Sequence, residues 1–209
     1  MLEQIKQKII FLIKFITFLN SELLLFYYNM LFLTEHLSLK EINRENYSQL
    51  YPLMCAVYPL AYRHFWTDNG SWYVNTQYSK ENILRELSEE KSEYYFVIFK
   101  DDIIGNFRII WDENLEGLSE EKQVKLHRIY LHQKVQGKGI GKNIVSWLEN
   151  RVKEKGYKII WLDAMNEQPQ AFQFYKNLGF KYYSHIFLEY DLLNQNVRKM
   201  SQLYKTLFY

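Results

Sequence analysis

Apolar residues recur along this chain with two different periods, and the changes of period predict alternating strands and helices. Helical spacing appears in residues 45–58, in residues 142–155, which end before Gly156, and in residues 169–178, which end before Gly179. Ser79 is a suitable N-cap for a further helix that reaches about Glu89. Short apolar runs predict strands in residues 36–40, 94–100, 103–111, 126–131, 158–163 and 180–192.

These elements predict a single α/β domain with a mixed sheet. The order is strand, helix, helix, hairpin, strand, helix, strand, helix and strand, and a terminal helix over residues 197–207 would place Met200, Leu203, Tyr204 and Leu207 on one side. The domain is expected over residues 34–209, after an apolar N-terminal extension over residues 1–33. Polar residues interrupt that extension too often for a membrane-spanning helix. A docked helix, a membrane-surface segment and an upstream stretch ahead of a true start at Met30 all remain open.

The most informative motif is Gln136-Gly137-Lys138-Gly139-Ile140-Gly141, which connects a predicted strand to a long amphipathic helix. Glycines let main-chain N–H groups approach an anion closely, and the positive end of the helix dipole lies at the same point. A P-loop would need glycine at Gln136, and a dinucleotide-binding fingerprint would need glycine at Lys142. The motif therefore predicts another kind of phosphate cradle, or else a glycine-rich connection that binds nothing.

Within this motif, Gln136-x-x-Gly139-x-Gly141 resembles the acyl-CoA signature of the GNAT-type N-acyltransferase superfamily. A second block, formed by Asn166, Ala171, Tyr175 and Gly179-Phe180, matches the superfamily at similar distances. The resemblance covers residues 36–190. It implies a GNAT-like fold with a central, mostly antiparallel mixed sheet flanked by helices. It also implies acetyl transfer from acetyl-CoA to an amine by direct attack in a ternary complex.

The resemblance also assigns roles to particular residues. It implies that the pyrophosphate of CoA binds to the loop and the first helical turn, which comprise Gln136, Gly137, Lys138, Gly139, Ile140, Gly141 and Lys142. It implies that the pantetheine arm binds to the main chain around Ile129 and Leu131 and that Asn166 contacts the CoA arm. It also implies that the Tyr175 hydroxyl is the proton donor to the CoA thiolate. A core tyrosine, a helix-capping asparagine and exposed lysines would produce the same pattern.

The general base and the acceptor-binding site are predicted from weaker sequence patterns. His127 shares strand parity with Ile129, so it is a candidate general base unless a bulge intervenes, and a structural histidine is the alternative. The aromatic stretch around Trp66, Asp68 and Trp72 falls where the superfamily binds the acceptor, and aromatic faces with a carboxylate suit a cationic amine. Arg128-Ile129-Tyr130-Leu131 and Ile160-Trp161-Leu162 also look similar to bacterial polyamine N-acetyltransferases, which makes a polyamine the first acceptor to consider.

Amino-acid composition narrows the classes of function that remain possible. The formal net charge of +2 is too small and too dispersed to predict nucleic-acid binding. The single cysteine, Cys55, excludes an intrachain disulfide and favours a reducing, cytoplasmic environment. No metal-binding motif is present, and a homodimer is left open. Competing functions are a non-catalytic acyl-CoA-binding or protein-interaction module, and an acetyltransferase for protein N-termini or side chains.

Overall fold

Eight strands form one sheet at the centre of the computed structural model, which describes residues 30–119 and 121–208. In chain order they are β1 (Met30–Thr34), β2 (Leu37–Glu41), β3 (Ser92–Phe99), β4 (Asp102–Trp111), β5 (Gln123–Leu131), β6 (Ile159–Met165), β7 (Lys181–Phe187) and β8 (Lys199–Thr206). Their spatial order is β1-β2-β3-β4-β5-β6-β8-β7. Every neighbouring pair is antiparallel except β5 with β6. The predicted mixed, mostly antiparallel sheet is confirmed.

Helices cover both faces of this sheet. They are α1 (Leu50–Tyr62), α2 (Ser71–Gln77), α3 (Lys80–Glu86), α4 (Ile140–Glu154) and α5 (Pro169–Asn177). The Ser79 hydroxyl accepts a hydrogen bond from the Asn82 N–H at 3.2 Å, which confirms the predicted cap. Helix α2 begins within the aromatic stretch around Trp66, Asp68 and Trp72. No helix in the described part of the chain is long and apolar enough to cross a bilayer.

The sheet is buried on both sides, because successive side chains of its central strands pack alternately into two separate hydrophobic cores. Tyr95 and Val97 pack with α4 on one face. Tyr94 and Phe96 pack with α1, α2 and α3 on the other face. This alternation is the period of two that a strand imposes on its side chains. The two-sided burial accounts for the nearly continuous apolar runs that marked these strands in the sequence.

The prediction of a terminal helix over residues 197–207 is wrong. Residues 199–206 form β8, which pairs with β6 on one edge and with β7 on the other. Ser201 and Leu203 are buried, two residues apart. An apolar spacing of three and four residues fits a short strand as well as a helix, and main-chain pairing on both edges decided the outcome.

Most of the apolar N-terminal extension, residues 1–29, lies outside the described residues. Strand β1 begins at Met30 and pairs with β2, from Met30 opposite Lys40 to Thr34 opposite Leu37. Residues 30–33, which we assigned to the extension, are therefore part of the sheet.

The parallel strands β5 and β6 are paired over a short distance only. Their pairing runs from Gln123 opposite Ile159 to Lys125 opposite Trp161 and then stops. Strand β5 continues to Leu131 on its pairing with β4, and β6 continues to Met165 on its pairing with β8. Because each strand is held on its outer edge, the inner edges separate and leave a gap in the sheet.

A buried ion network ties α3 to β4 and β5 beside this gap. The Glu86 carboxylate lies 3.3 Å from Arg108 Nη1 and 2.9 Å from Arg128 Nη1. All three residues are at most 8% exposed. Arg108 also donates to Glu89 and, through Nε, to Ser92 Oγ at 2.9 Å. One carboxylate thus holds two buried guanidinium groups in fixed positions.

We predict that Glu86→Ala lowers the free energy of unfolding by about 3–5 kcal/mol, because it leaves two buried guanidinium groups without their shared partner. Denaturant unfolding measures the loss. Asp102→Ala is the control, since Asp102 pairs with Lys134 at 3.2 Å where both side chains are at least half exposed, and its loss is expected within about 1 kcal/mol. Equal losses in the two variants would contradict a stabilising role of the network.

Candidate functional site

The loop between β5 and α4 has the backbone geometry of an anion cradle. Gly137 and Gly139 have φ angles of +74° and +75°, and Gly139 is the N-cap of α4. A Cβ added at either position would have no neighbour within 4 Å, so the loop is open. Among residues 30–119 and 121–208, no side chain caps α4. The free N–H groups of its first turn therefore point to open space at the positive end of the helix dipole.

A cavity of about 730 Å³, here called the loop cavity, extends from this loop along the end of β5 to α5. Most of the residues predicted to hold CoA line it, namely Ile129, Leu131, Gln136, Gly137, Gly139, Ile140, Gly141 and Lys142. Lys138 does not line it, and its Nζ lies 5.5 Å from the centre of the Phe99 ring. Asn166 does not line it either.

Asn166 is engaged elsewhere in the sheet. Its Oδ1 accepts a hydrogen bond from the Ser201 hydroxyl at 2.7 Å, and its N–H donates to the Lys199 carbonyl. It does not cap α5, whose N-cap is Gln168. The side chain thus joins the end of β6 to β8.

Gly141 has a packing role that the sequence motif did not reveal. A Cβ at this position would lie 3.0 Å from Cζ of Phe174 on α5. The missing side chain lets α4 and α5 approach each other closely. The residue therefore fixes the distance between the loop and the helix that carries Tyr175.

A second cavity of about 270 Å³, here called the aromatic cavity, lies next to the loop cavity. Its wall contains a set of aromatic rings: Tyr58, Tyr62, Phe65, Trp66, Tyr73, Tyr130 and Tyr190. The rings of Tyr58 and Tyr73 stack at 4.4 Å, and the hydroxyls of Tyr73 and Tyr130 lie 3.0 Å apart. Trp66 Nε1 donates to the Tyr58 hydroxyl at 2.9 Å. Hydrogen bonds and stacking therefore hold the wall rigid.

Tyr175 lies where the two cavities meet, because it lines both of them together with Tyr62 and Ile129. Its ring packs against Phe174 and Phe180. No residue in the described part of the chain forms a hydrogen bond with its hydroxyl. Burial, reinforced by Tyr62, raises the pKa of Tyr175 above the usual phenol value. The phenol is therefore a proton-bearing group with a free hydroxyl at the junction.

His127 lies at a bulge in β5. Arg108 pairs with Arg128 and the next residue, Ile109, pairs with Leu126, so His127 is skipped. His127 still lines the aromatic cavity, and its Nδ1 lies 2.9 Å from Arg108 Nη1. Burial, followed by the charges of Arg128 and Arg108, lowers the pKa of His127 to about 2. An imidazole in these surroundings stays neutral.

The three residues predicted to bind the acceptor lie in different parts of the structure. Trp66 lines the aromatic cavity. Trp72 lies behind that wall, with its ring 5.7 Å from Trp66 and 5.2 Å from Tyr190. The Asp68 carboxylate accepts hydrogen bonds from the N–H groups of Gly70 and Trp72 and thereby holds the start of α2. Neither Trp72 nor Asp68 lines the cavity.

Several wall residues were missed by sequence reasoning. Tyr58 and Tyr62 are four residues apart on α1, a spacing that could have marked one aromatic helix face. Lys125 on β5 and Asp163 on β6 also line the cavity and pair at 2.9 Å, with each side chain 14% exposed. No periodic pattern links these two residues, since they meet only where their strands diverge.

Comparison with known proteins places the chain among acetyltransferases. A sequence model of the acetyltransferase (GNAT) family matches residues 50–180. An uncharacterized N-acetyltransferase from the pepI 3′ region of Lactobacillus delbrueckii subsp. lactis is 21% identical over 117 residues, which cover 56% of this chain and 68% of that protein.

Solved structures share the fold. The PaiA N-acetyltransferase of Thermoplasma acidophilum in complex with coenzyme A aligns with a TM-score of 0.63 at 19% identity, over 82% of this chain and 99% of that one. Naa50 of Arabidopsis thaliana, in complex with the bisubstrate analogue CoA-Ac-MVNAL, aligns with a TM-score of 0.61 at 17% identity, over 82% and 99%. The predicted GNAT-like fold is confirmed.

Proposed function

This chain belongs to the acetyltransferase (GNAT) family, and we propose that it transfers the acetyl group of acetyl-CoA to the primary amine of a small molecule. As a family member it is an acyl-CoA-dependent N-acetyltransferase. The proposal concerns the acceptor and the residues that carry out the transfer.

One observation carries the proposal: the free hydroxyl of Tyr175 lies at the junction of two cavities of different character. The loop cavity ends at a glycine loop and a helix N-terminus, which suit a pyrophosphate. The aromatic cavity is enclosed by rings and suits a small organic molecule. A two-substrate transfer needs its two ligands to meet beside a proton donor, and Tyr175 occupies that position.

Main-chain groups supply the remaining contacts to the CoA arm. Beyond Lys125, the inner edge of β5 has no strand partner among the described residues. Exposed N–H and C=O groups of a strand edge bind extended, amide-containing chains in the way that they bind another strand. We assign the pantetheine arm to this edge around Ile129 and Leu131, and the pyrophosphate to the N–H groups of Gly137 to Lys142.

The chemistry follows from this placement. A neutral amine in the aromatic cavity attacks the thioester carbon, a C–N bond forms, and the C–S bond breaks. The leaving thiolate takes the proton of the Tyr175 phenol, and the proton released from the amine nitrogen passes to solvent. The phenolate then regains a proton from solvent. Because burial raises the pKa of Tyr175, the phenol carries its proton throughout the neutral range.

The size of the aromatic cavity favours a small acceptor. About 270 Å³ lies just below the usual range of roughly 300–1,000 Å³ for small-molecule sites and leaves little room for a peptide chain. Polyamines were the first candidates from the sequence, partly because of Asp68. That carboxylate holds α2 instead. The remaining support for a polyamine is the aromatic faces, which attract cations, and the similarity of two short segments to polyamine N-acetyltransferases.

We predict that CoA stabilises the folded chain by mass action, by about 2.7 kcal/mol at a hundredfold excess over its dissociation constant. Gly139→Asp should weaken CoA binding at least about tenfold, because it places a carboxylate beside the pyrophosphate. Gly156→Asp is the matched control, since Gly156 has a φ of +74° and equally open surroundings at the other end of α4. Thermal shifts measured against CoA concentration test both variants. Equal binding by the two variants would refute the cradle.

We predict that Tyr175→Phe lowers kcat by ~10²–10⁴-fold while the dissociation constant for CoA stays the same, because only the proton donor is lost. The raised pKa predicts no alkaline fall in kcat from this group below about pH 10. Tyr62→Phe is the comparison, since it removes another phenol that lines both cavities. Its loss should stay below about tenfold. A Tyr175→Phe enzyme that turns over at the parental rate in single-turnover assays would leave the proton donor unassigned and favour a structural role.

We predict that small primary amines are acetylated faster than peptide N-termini, because the aromatic cavity is small. A thiol-release assay with acetyl-CoA and a panel containing spermidine, short monoamines, amino alcohols, amino acids, amino sugars and peptides measures this. Turnover confined to peptides would reject the small-molecule acceptor and leave the acetyltransferase assignment intact. Binding of CoA without turnover of any amine would instead support a non-catalytic module.

A further inference from the structure

The wall that β5 contributes to the aromatic cavity contains side chains that the proposed transfer does not use. Lys125, His127 and Arg128 all line this cavity. Lys125 and Arg128 have hydrogen-bond donors only. The third side chain, His127, was predicted from the sequence to be a base, and its surroundings determine whether it can accept a proton.

The contact with Arg108 fixes the proton of His127. Arg108 Nη1 lies 2.9 Å from His127 Nδ1. A guanidinium group only donates, so Nδ1 must provide the lone pair and the proton of the neutral ring must be on Nε2. No residue in the described part of the chain forms a hydrogen bond with Nε2. This N–H is therefore available to a molecule in the cavity.

Burial and the charges around the ring keep it neutral. Arg108 on β4 and Arg128 and Lys125 on β5 are the cations beside it. Glu86 on α3, Glu89 just after it and Asp163 on β6 pair with these cations and offset part of their charge. None of these carboxylates forms a hydrogen bond with the imidazole. Burial, followed by these cations, lowers the pKa of His127 to about 2. To act as a base, the ring would have to take a proton on Nδ1, directly opposite a guanidinium group.

We propose that His127 is an acceptor-binding residue, which donates its Nε2–H to an oxygen of the acceptor, and that the acceptor is therefore a small primary amine that also carries a hydroxyl, carbonyl or carboxylate oxygen. The inference rests on the proposed function, because it requires the acceptor to occupy the aromatic cavity. The ammonium groups of a polyamine offer no lone pair to this N–H. A site with a fixed, buried donor disfavours such an acceptor, since the donor would remain unpaired.

Isosteric amines test the contact. The wild-type chain is expected to turn over 3-aminopropan-1-ol with a kcat/KM at least about tenfold above that for butylamine, because only the former reaches the donor. His127→Leu should remove this preference with an unchanged KM for acetyl-CoA. His127→Gln, whose amide can donate from nearly the same position, should restore part of it. No preference in the wild type, or faster turnover of spermidine, would overturn the inference while the acetyltransferase function stands.

A catalytic base would behave differently. Both His127→Gln and His127→Leu would then lose turnover equally on every amine, by ~10²–10⁴-fold, together with the acidic limb of the pH profile. That pattern would also overturn the inference. Absence of turnover with all amines would remove the proposed function and the acceptor contact together.

Nitrogen NMR provides a readout that does not depend on activity. The full chain is labelled with ¹⁵N-histidine, and His127 is assigned by the signal missing from His127→Gln. We expect the Nε2–H tautomer with no titration between about pH 5 and 8. An Nδ1–H tautomer, or a titration in this range, would overturn the inference even if the enzyme is active.

Discussion

The separation of β5 from β6 is the constraint on which the rest of this structure depends. Their pairing ends at Lys125 and Trp161, while β4 and β8 hold the outer edges of the two strands. A sheet interior normally satisfies every main-chain N–H and C=O group. Here the inner edge of β5 beyond Lys125 has no strand partner among the described residues, so it is open to a ligand or water. The gap is therefore both a structural defect and a site with the recognition properties of a strand edge.

Strand β5 combines the two halves of the site. Its carboxyl end leads into the glycine loop and α4, to which we assign the pyrophosphate, and its middle residues line the aromatic cavity. The bulge at His127 adds one residue to this strand and shifts the pairing with β4. Because one rigid element positions both sides, the distance between the two ligands is set by the sheet rather than by mobile loops.

Stability and chemistry share the same charges. Glu86 holds Arg108 and Arg128 in the sheet, and these arginines in turn fix the tautomer of His127 and depress its pKa. Tyr175 lies in the opposite environment, where burial favours the neutral phenol that can donate. Two titratable groups that line the same cavity are thus both held neutral and proton-bearing, one by neighbouring cations and burial and the other by burial among aromatic rings.

The sequence by itself determined the local elements and the cradle. Glycine spacing at residues 137–141 and apolar periodicity in α4 depend on neighbouring residues, so they were readable without the fold. Tertiary structure decided what depends on distant partners. Residues 199–206 became a strand because β6 and β7 pair with it. The state of His127 was settled by Arg108, which is 19 residues away in the chain. Such contacts produce no periodic pattern in the sequence, because the residues that form them are brought together only by the register of the sheet.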